Sequence, residues 1–385
     1  MEKTTPERIR LGMVGGGRDA FIGDVHRIAS RIDDKYQLVA GAFSSTAEKA
    51  LASAADLGIA SERAYADYQT MAAAEAARED GIEAVSIVTP NHLHCDTTCA
   101  FLKHGIHVIC DKPLTSTLDD AKKLVKQAEE SNALFFLTHN YTGYPMVRQA
   151  RAMIAEGQLG EIRLVQAEYA QDWLATKLED TGQKQADWRT DPARSGLGGC
   201  IGDIGTHAFN LATFVSGLQL NSLCADLDTF VEGRKLDDNA HIMLRFEGGA
   251  KGMIWSSQVA PGNENALRLR VYGSKGGIEG SQEDPNRLWF TRLGEPKQLL
   301  TRAGAGALAS ANDVSRIPAG HPEGYLEGFA NLYSEAAELM FAKRTGDTIN
   351  SSLIPTVHDG LAGVAFITSA VTSSNNGGSW ETLDN

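Results

Sequence analysis

The sequence lacks any apolar run of the roughly 18 to 20 residues that a membrane-spanning helix needs, and its opening MEKTTPERIR lacks the apolar stretch of a signal peptide. We therefore expect a cytoplasmic protein that does not bind membranes. Basic residues are also too few for nucleic acid to be a partner, because 36 Lys and Arg stand against 49 Asp and Glu, with a net charge of −13.

Cysteine is scarce, with five residues in a chain of 385. An odd number in a chain long enough to bury a large core does not favour a disulfide framework and suits a reducing compartment. Histidines and cysteines are dense over residues 92–110, but they fall on a predicted helix and the strand after it, with no C-x-x-C pair. We therefore expect no metal site.

The chain changes its hydrophobic pattern once. Over the first 140 residues, short apolar runs such as IRLGMVG and EAVSIV alternate with helical patterns such as TLDDAKKLVKQAEE. This rhythm predicts repeated βαβ units and a parallel sheet with helices on both faces. From Glu161 the apolar residues alternate within longer segments separated by glycine-rich turns, which predicts a largely antiparallel sheet with one covered face. We expect two α/β domains, at residues 1–142 and 143–385.

A glycine-rich turn follows the first predicted strand and includes Gly15, Gly17 and Gly23. Glycines at such a turn let the backbone N–H groups of a helix N-terminus approach a pyrophosphate. In a strict G-x-G-x-x-G motif the third glycine would stand at position 20, where this chain has Ala20. The strand before and the helix after still favour a dinucleotide site, with a loop that is longer than usual.

The second predicted strand ends without a carboxylate. A free ribose 2′-hydroxyl usually meets an acidic side chain there, whereas this chain has Ser44 and Ser45. Both serines would tolerate a 2′-phosphate, and Lys49 could help to neutralise it or could be an ordinary solvated lysine. NAD and NADP therefore both stay open as cofactors.

Three further segments give the chain a recognisable family resemblance. They are TPNHLH over residues 89–94, CDKPL over residues 110–114 and GDIGTH over residues 202–207. Together with the glycine turn, they resemble the Gfo/Idh/MocA family of NAD(P)-dependent sugar and polyol dehydrogenases. The resemblance implies an N-terminal Rossmann domain and a C-terminal α/β domain with a large, mainly antiparallel open sheet that often mediates oligomers. We therefore expect a homo-oligomer, a dimer or tetramer, formed through this sheet.

The resemblance implies catalytic roles for three residues. Lys112 would polarise the reacting oxygen, His207 would act as acid and base, and Asp203 would bind substrate or orient the site. The residues themselves favour similar roles, because Lys112 follows a predicted strand, and Asp203 and His207 would share one face of a helix that begins near Gly202. The alternative is that Asp203 caps this helix at Thr206 while His207 only packs.

Further site residues are expected on both domains, and the family pattern has one exception. Asp111 stands where the family usually has glutamate. Indoles beside amide and carboxylate groups suit a polyol, although Trp173 and Trp188 could equally pack between domains, and His321 could belong to an ordinary helix start. The resemblance places at the cofactor Thr89, Asn91, His94, Asp111, Lys112, Trp188 and Arg189. The expected substrate contacts are Asn140, Tyr144, Gln171, Asp172, Trp173 and His321.

These observations predict an NAD(P)-dependent dehydrogenase. Its expected reaction is oxidation of a secondary hydroxyl group of a sugar, glycoside or inositol-like cyclic polyol, or reduction of the corresponding ketone. Two alternatives share the fold: a glycosidase that uses NAD without net redox change, and a regulator that senses NAD(P) without catalysis. Lys112 and His207 count against the regulator, which needs neither residue.

Overall fold

The computed structural model describes residues 7–18, 20–349 and 353–383, and the other residues, including Asp19, lie outside the description. The chain forms two compact units, each made of several segments. The first unit comprises Met1–Thr115, Asp119–Asn140 and Phe329–Gly360. The second comprises Ser116–Leu118, Tyr141–Gly328 and Leu361–Asn385.

The N-terminal part of the chain alternates strands with helices, as predicted. Its elements are β1 (Ile9–Gly15), α1 (Phe21–Ile32), β2 (Tyr36–Ala42), α2 (Ala47–Asp56), α3 (Tyr68–Ala76), β3 (Ala84–Val88), α4 (His94–Lys103), β4 (His107–Cys110), α5 (Leu118–Glu130) and β5 (Phe135–Leu137). The five strands form a parallel sheet in the order β2-β1-β3-β4-β5.

Burial explains why these runs form parallel strands. Every residue of β3, with the sequence AVSIV, is buried, as expected for a strand covered on both faces. The direction of the strand order reverses between β1 and β3. Loops at the carboxyl ends of strands on either side of such a reversal form the ligand-binding crevice of open parallel sheets.

The second unit is built on a larger sheet. Its elements begin with α6 (Pro145–Ala155), β6 (Ile162–Ala170), α7 (Lys184–Arg189), α8 (Pro192–Ser195), α9 (Thr206–Ser216), β7 (Leu220–Asp228), β8 (Asn239–Phe246), β9 (Lys251–Ser257), β10 (Ala266–Gly273), β11 (Gly276–Ser281), β12 (Arg287–Arg292), β13 (Gln298–Thr301) and α10 (Ala309–Asn312). The chain then continues through α11 (Tyr325–Thr345), α12 (Val357–Asn375) and β14 (Glu381–Thr382). The sheet order is β13-β12-β11-β10-β6-β9-β8-β7-β14, and β6 pairs with β9 in parallel while the other neighbours are antiparallel.

Alternating residues give the large sheet two different faces. Along β8, the side chains of Ile242 and Leu244 are buried and join one hydrophobic core with residues of α6, α9 and α12. Phe209 of α9 stacks on Phe366 of α12 with ring centroids 4.3 Å apart. Met243, between the two buried β8 residues, is 53% exposed on the other face. The predicted sheet with one covered face is therefore present.

The C-terminal segments differ from the predicted division at residue 142. Residues 329–360 belong to the first unit, although the sequence analysis placed all of 143–385 in the second domain. The Tyr36 hydroxyl donates to the Tyr333 carbonyl oxygen over 2.8 Å, and the Leu137 N–H donates to the Pro355 carbonyl oxygen over 2.9 Å. The apolar pattern of α11 predicts a buried helix but cannot indicate which sheet it packs against.

Among the described residues, no helix is long and apolar enough to span a membrane.

We predict that His107 makes stability depend on pH. Its Nδ1 accepts a hydrogen bond from the Leu134 N–H over 2.9 Å, and burial, helped by the charge of Lys343, lowers the pKa of His107 to about 4. In the unfolded chain His107 takes up a proton near pH 6.5, whereas in the folded chain it does so only near pH 4. The free energy of unfolding therefore has its full value above pH 6.5 and decreases by up to about 3 kcal/mol as the pH drops toward 4.

Urea unfolding at pH 7 and pH 4.5 measures this contribution. His107→Asn removes the titrating group and should lessen the loss of stability on acidification. The exposed His104, changed to Asn, is the control and should leave the loss as it is in the parent protein. Equal acid losses in the parent and in His107→Asn would contradict the assignment.

Candidate active site

The glycine turn after β1 requires glycine for two reasons: a left-handed backbone conformation and close packing of the backbone against α1. Gly15 and Gly16 have φ angles of 80° and 69°, in the left-handed region that favours glycine. A Cβ atom on Gly23 would lie 2.4 Å from the Gly16 Cα, so the first turn of α1 packs directly on the glycine turn. Gly23 thus provides the close approach of helix to turn, although it stands three positions later than in the strict motif.

The turn is also held from the protein side. The Gly17 N–H donates to the Phe43 carbonyl oxygen over 3.2 Å, and the Arg18 N–H donates to Ser53 Oγ over 3.1 Å. A guanidinium group that sequence reasoning did not assign, that of Arg27, donates to the Gly16 carbonyl oxygen. These bonds fix the backbone of Gly16, Gly17 and Arg18.

The residues present fit a dinucleotide cofactor. The left-handed glycines leave room for a pyrophosphate beside the N-terminus of the 12-residue helix α1. The loop after β3 adds the Thr89 Oγ1 atom, which is buried and makes no hydrogen bond within the described chain. A buried hydroxyl group of this kind is suited to an incoming polar ligand.

The end of β2 keeps its neutral character in the structure. Ser44 is half-buried and its Oγ accepts the Thr46 N–H over 3.3 Å, while Ser45 and Lys49 are exposed. Arg18 forms a two-pronged ion pair with Asp56, at 2.6 Å from Nε and 2.8 Å from Nη2. Both nicotinamide cofactors therefore remain compatible with this edge of the sheet.

His94 connects the loops that follow β3 and β4. Its Nδ1 lies 2.7 Å from the Pro113 carbonyl oxygen, and its Nε2 lies 2.9 Å from the Thr89 carbonyl oxygen. The ring has no exposed surface, and burial lowers the pKa of His94. These contacts place His94 between the loops that carry Asn91 and Lys112, and the single N–H of the neutral ring donates to one of the two carbonyl oxygens.

Lys112 lies at the carboxyl end of β4 and follows Asp111. The Asp111 carboxylate accepts a hydrogen bond from Thr138 Oγ1 over 3.0 Å, and His26 Nε2 lies 3.8 Å from the same oxygen. Burial favours the neutral acid, but His26 and the Lys112 ammonium group together hold the pKa of Asp111 below its ordinary value. A negative charge is thus kept next to Lys112.

Asp203 lies on a turn of π-helix, Ile201–Gly205, where the sequence predicted the start of an α-helix. The α-helix begins only at Thr206. The turn is held by Asp237, whose carboxylate accepts the N–H groups of Gly199 and Ile201 over 2.6 and 2.8 Å. Burial raises the pKa of Asp237 to about 6, against the lowering effect of these N–H groups. A π-turn often marks a functional site, and neither it nor Asp237 has a sequence signal.

The Asp203 carboxylate contacts Gln258 and Arg189 of the second unit, and neither contact is a helix cap. Gln258 Nε2 donates to its Oδ2 over 2.9 Å, and Arg189 Nε lies 3.3 Å from the same oxygen. The Arg189 guanidinium also lies over the Trp188 ring, 4.2 Å from its centroid. The structure therefore brings Trp188, Arg189 and Asp203 together, while Gln258 escaped sequence reasoning.

His207 packs against a hydrogen-bonded pair of tyrosines. Its ring centroid lies 4.9 Å from that of Tyr141, and the Tyr141 and Tyr169 hydroxyl oxygens are 2.6 Å apart. Tyr169 in turn donates to Asn265 Oδ1 over 2.7 Å. Sequence reasoning assigned none of these three, because strand pairing between β6 and β10 brings Tyr169 and Asn265 together across about a hundred residues.

The three consecutive residues predicted to contact substrate, 171–173, have two different structural roles. Gln171 Nε2 donates to Asn265 Oδ1 over 2.7 Å, and Trp173 Nε1 donates to Gln171 Oε1 over 3.0 Å, so both join the tyrosine network. Asp172 instead accepts the Gly262 N–H over 3.0 Å and stabilises a turn. Trp173 is thus linked to this network by its own hydrogen bond.

The other predicted substrate residues differ in exposure. Asn140 and Tyr144 are each 2% exposed, and the Asn140 Nδ2 and Tyr144 Oη atoms make no hydrogen bond within the described chain. His321 is exposed, and its carbonyl oxygen accepts a hydrogen bond from the buried Arg302 over 2.6 Å. No three His, Cys, Asp or Glu side chains of the described residues form a group that could hold a metal ion.

Comparison with known proteins agrees with the fold and with the dinucleotide-binding turn described above. Residues 9–139 match the model described as "Oxidoreductase family, NAD-binding Rossmann fold", and residues 147–279 match the "GFO/IDH/MocA C-terminal domain". The fold and the nucleotide half of the site define an NAD(P)-binding oxidoreductase. The chain belongs to the Gfo/Idh/MocA family, which confirms the resemblance seen in its motifs.

Several relatives match over nearly the full length. An oxidoreductase structure from Sinorhizobium meliloti is 60% identical, with a TM-score of 0.90, and the match covers 98% of this chain and 100% of that one. An inositol dehydrogenase homologue from Azotobacter vinelandii, complexed with NADH and myo-inositol, is 38% identical with a TM-score of 0.91 and covers 98% of both chains. The uncharacterized oxidoreductase YfiI of Bacillus subtilis is 38% identical over 98% of both chains.

We predict that Gly23→Ala weakens cofactor binding at least tenfold. The added Cβ would meet the Gly16 backbone at 2.4 Å, and the turn must move away from α1 to accept it. Titration calorimetry with NAD and with NADP measures the effect. Gly324→Ala is the control, since its Cβ would meet no atom closer than 4.0 Å. Unchanged affinity in a folded Gly23→Ala protein would show that the turn does not contact the cofactor.

Proposed function

We propose that this protein is a dehydrogenase that oxidises a secondary hydroxyl group of a sugar, glycoside or cyclic polyol, or reduces the corresponding ketone. The observation that carries the proposal is that the second unit holds a buried imidazole, His207, and a carboxylate fixed by hydrogen bonds, Asp203. His207 is 7% exposed against Tyr141, and Asp203 is held by Gln258 and Arg189. A base of this kind beside fixed hydrogen-bonding groups suits a substrate rich in hydroxyl groups.

We assign the proton transfer to His207. An imidazole ring takes up or releases a proton near neutral pH, which suits removal of the proton from a substrate hydroxyl group. The Tyr141 ring fixes the plane of the imidazole by edge-to-face packing, at an interplanar angle of 68°. Asp203 accepts a hydroxyl hydrogen bond from the substrate, because its partners keep the carboxylate in place.

Lys112 stabilises the oxygen on which negative charge develops. An ammonium group beside that oxygen lowers the energy of the transition state most effectively where water is scarce. The NAD(P) cofactor, when bound, supplies the hydride chemistry. The residues that would hold it are Gly15, Gly17 and Gly23 of the glycine turn and Thr89 and Asn91 of the loop after β3. The choice between NAD and NADP would depend on the residues after β2, which are Ser44, Ser45 and Lys49.

A cyclic polyol is the first substrate class to test. The relative from Azotobacter vinelandii, 38% identical to this chain, was crystallised with NADH and myo-inositol. A curated relative that is 26% identical, from Thermotoga maritima, is a myo-inositol 2-dehydrogenase. Among the expected substrate contacts, Gln171 and Trp173 are held in one hydrogen-bonded network, and fixed amide and indole groups suit a ring of hydroxyls.

We predict that a panel of inositols, aldoses, anhydrosugars and glycosides will include a substrate that reduces NAD or NADP. The absorbance of the reduced nicotinamide measures this reaction. With that substrate, Lys112→Ala and His207→Ala should each lower kcat by about 10²- to 10⁴-fold, because each removes a group that acts in the transition state. Cofactor affinity should persist in His207→Ala. The exposed Lys126→Ala is the matched control and should keep full activity.

Three outcomes would contradict this proposal. Near-normal turnover in either variant would remove the role assigned to that residue. Glycoside cleavage without net reduction of cofactor would favour the redox-neutral glycosidase instead. Cofactor binding with no reaction on any of these compounds would favour the regulator.

We also propose that the open face of the large sheet forms a homo-oligomer. Its apolar side chains include Leu164, Met243 and Met253, which are 45%, 53% and 43% exposed, and Met243 pairs with Met253 across β8 and β9. Exposed apolar side chains on a sheet face are suited to contact with the same face of a second copy. A cytoplasmic location stays a prediction of the sequence.

Met253→Glu should convert the oligomer to monomer, since two copies related by a twofold axis would bring carboxylates into an apolar contact. Light scattering after size-exclusion chromatography measures the mass. Leu293→Glu is the control, because Leu293 is 80% exposed and lies in the turn after β12 rather than on this face. A parent protein that is monomeric at micromolar concentration would contradict the proposal.

A further inference from the structure

A closed polar cluster lies inside the first unit, next to Asp111. It contains His26 of α1, Ser86 of β3 and Tyr333 of α11, which are all at most 1% exposed. The Tyr333 hydroxyl lies 2.8 Å from His26 Nδ1 and 2.9 Å from Ser86 Oγ, and Ser86 Oγ lies 3.2 Å from the same nitrogen. Nδ1 therefore has two hydroxyl groups within hydrogen-bond distance, one of which donates to it.

The other ring nitrogen of His26 faces the charge next to Lys112. Nε2 is buried, makes no hydrogen bond within the described chain, and lies 3.8 Å from Asp111 Oδ1. That distance is longer than a hydrogen bond, so the interaction is electrostatic across a buried gap. Because Nδ1 can accept from a hydroxyl, the tautomer with hydrogen on Nε2 presents an N–H dipole to the carboxylate.

Asp111 needs this support because its surroundings disfavour a charge. Its side chain is 14% exposed, and a buried carboxylate reverts to the neutral acid unless other groups stabilise the anion. Thr138 Oγ1 donates one hydrogen bond to it. The groups that interact with its charge are His26, Lys112, His94, His139, Cys110 and Tyr333.

We propose that His26 is a positioning residue that fixes the orientation and negative charge of the Asp111 carboxylate and thereby the ammonium group of Lys112. The inference rests on the function proposed for Lys112. Tyr333 and Ser86 fix the ring, the ring fixes the carboxylate, and the carboxylate balances the ammonium charge. The order Ser86, His26, Asp111 is that of a hydrolytic triad, but Ser86 has no exposed surface and cannot reach a substrate.

A merely structural role for His26 would give different results from this one. His26→Leu removes the Nε2 dipole, so the Asp111 carboxylate takes up a proton at higher pH. We measure kcat for ketone reduction, because His207 must start protonated in that direction and so does not set the acid limb. We expect this limb to move up by about one pH unit, while KM for the ketone changes less than twofold. His26→Gln returns an N–H donor and should restore at least half of that shift. Phe329→Leu alters the ring contact 5.0 Å from His26 and should leave the limb in place.

A second readout needs no catalysis. If His26 acts through Asp111, the decreases in urea midpoint caused by His26→Leu and Asp111→Asn do not add. The double variant then has the same urea midpoint as the less stable of the two single variants. Additive losses, or an acid limb that stays fixed in His26→Leu, would overturn the proposal. A Lys112→Ala protein with normal turnover would overturn the function of Lys112 instead, and the urea midpoints would still decide whether His26 supports Asp111.

Discussion

The need to stabilise one buried carboxylate, Asp111, constrains much of the first unit. It follows β4 at the carboxyl edge of the parallel sheet, where the chain must also present Lys112. A charge at this depth is stable only if fixed groups offset the loss of water. Thr138 and His26 supply them from β5's end and from α1, so the helix that follows the glycine turn also supports the strand that precedes the lysine.

The same helix explains how the longer glycine loop is accommodated. Backbone contact between Gly16 and Gly23 leaves no space for a side chain at either position. Arg27, one turn further along α1, then holds the Gly16 carbonyl oxygen. The extra residues therefore lengthen the connection without separating the helix from the turn, and the late third glycine keeps its packing role.

In the second unit, the sheet register determines which polar groups meet. Antiparallel pairing of β6 with β10 places Ala170 opposite Ala266, and the neighbouring side chains of Tyr169, Gln171 and Asn265 then share hydrogen bonds. Tyr141 joins the same network and packs on His207. Asp203 has its own partners on a π-turn that Asp237 stabilises. The histidine and the carboxylate are therefore positioned by different parts of the sheet.

The sequence by itself determined the family and most of the local structure, although not the π-turn that carries Asp203. Strand and helix periodicities, the glycine turn and the motifs around Lys112 and His207 are contiguous, so residues close in the chain carry the whole signal. Only the tertiary structure decided the partners of those residues. Tyr333 meets His26 across 307 positions, Gln258 meets Asp203 across 55, and the return of residues 329–360 to the first unit has no local pattern. Hydrogen bonds between distant residues depend on strand register and helix docking, which are set by the packing of the whole unit.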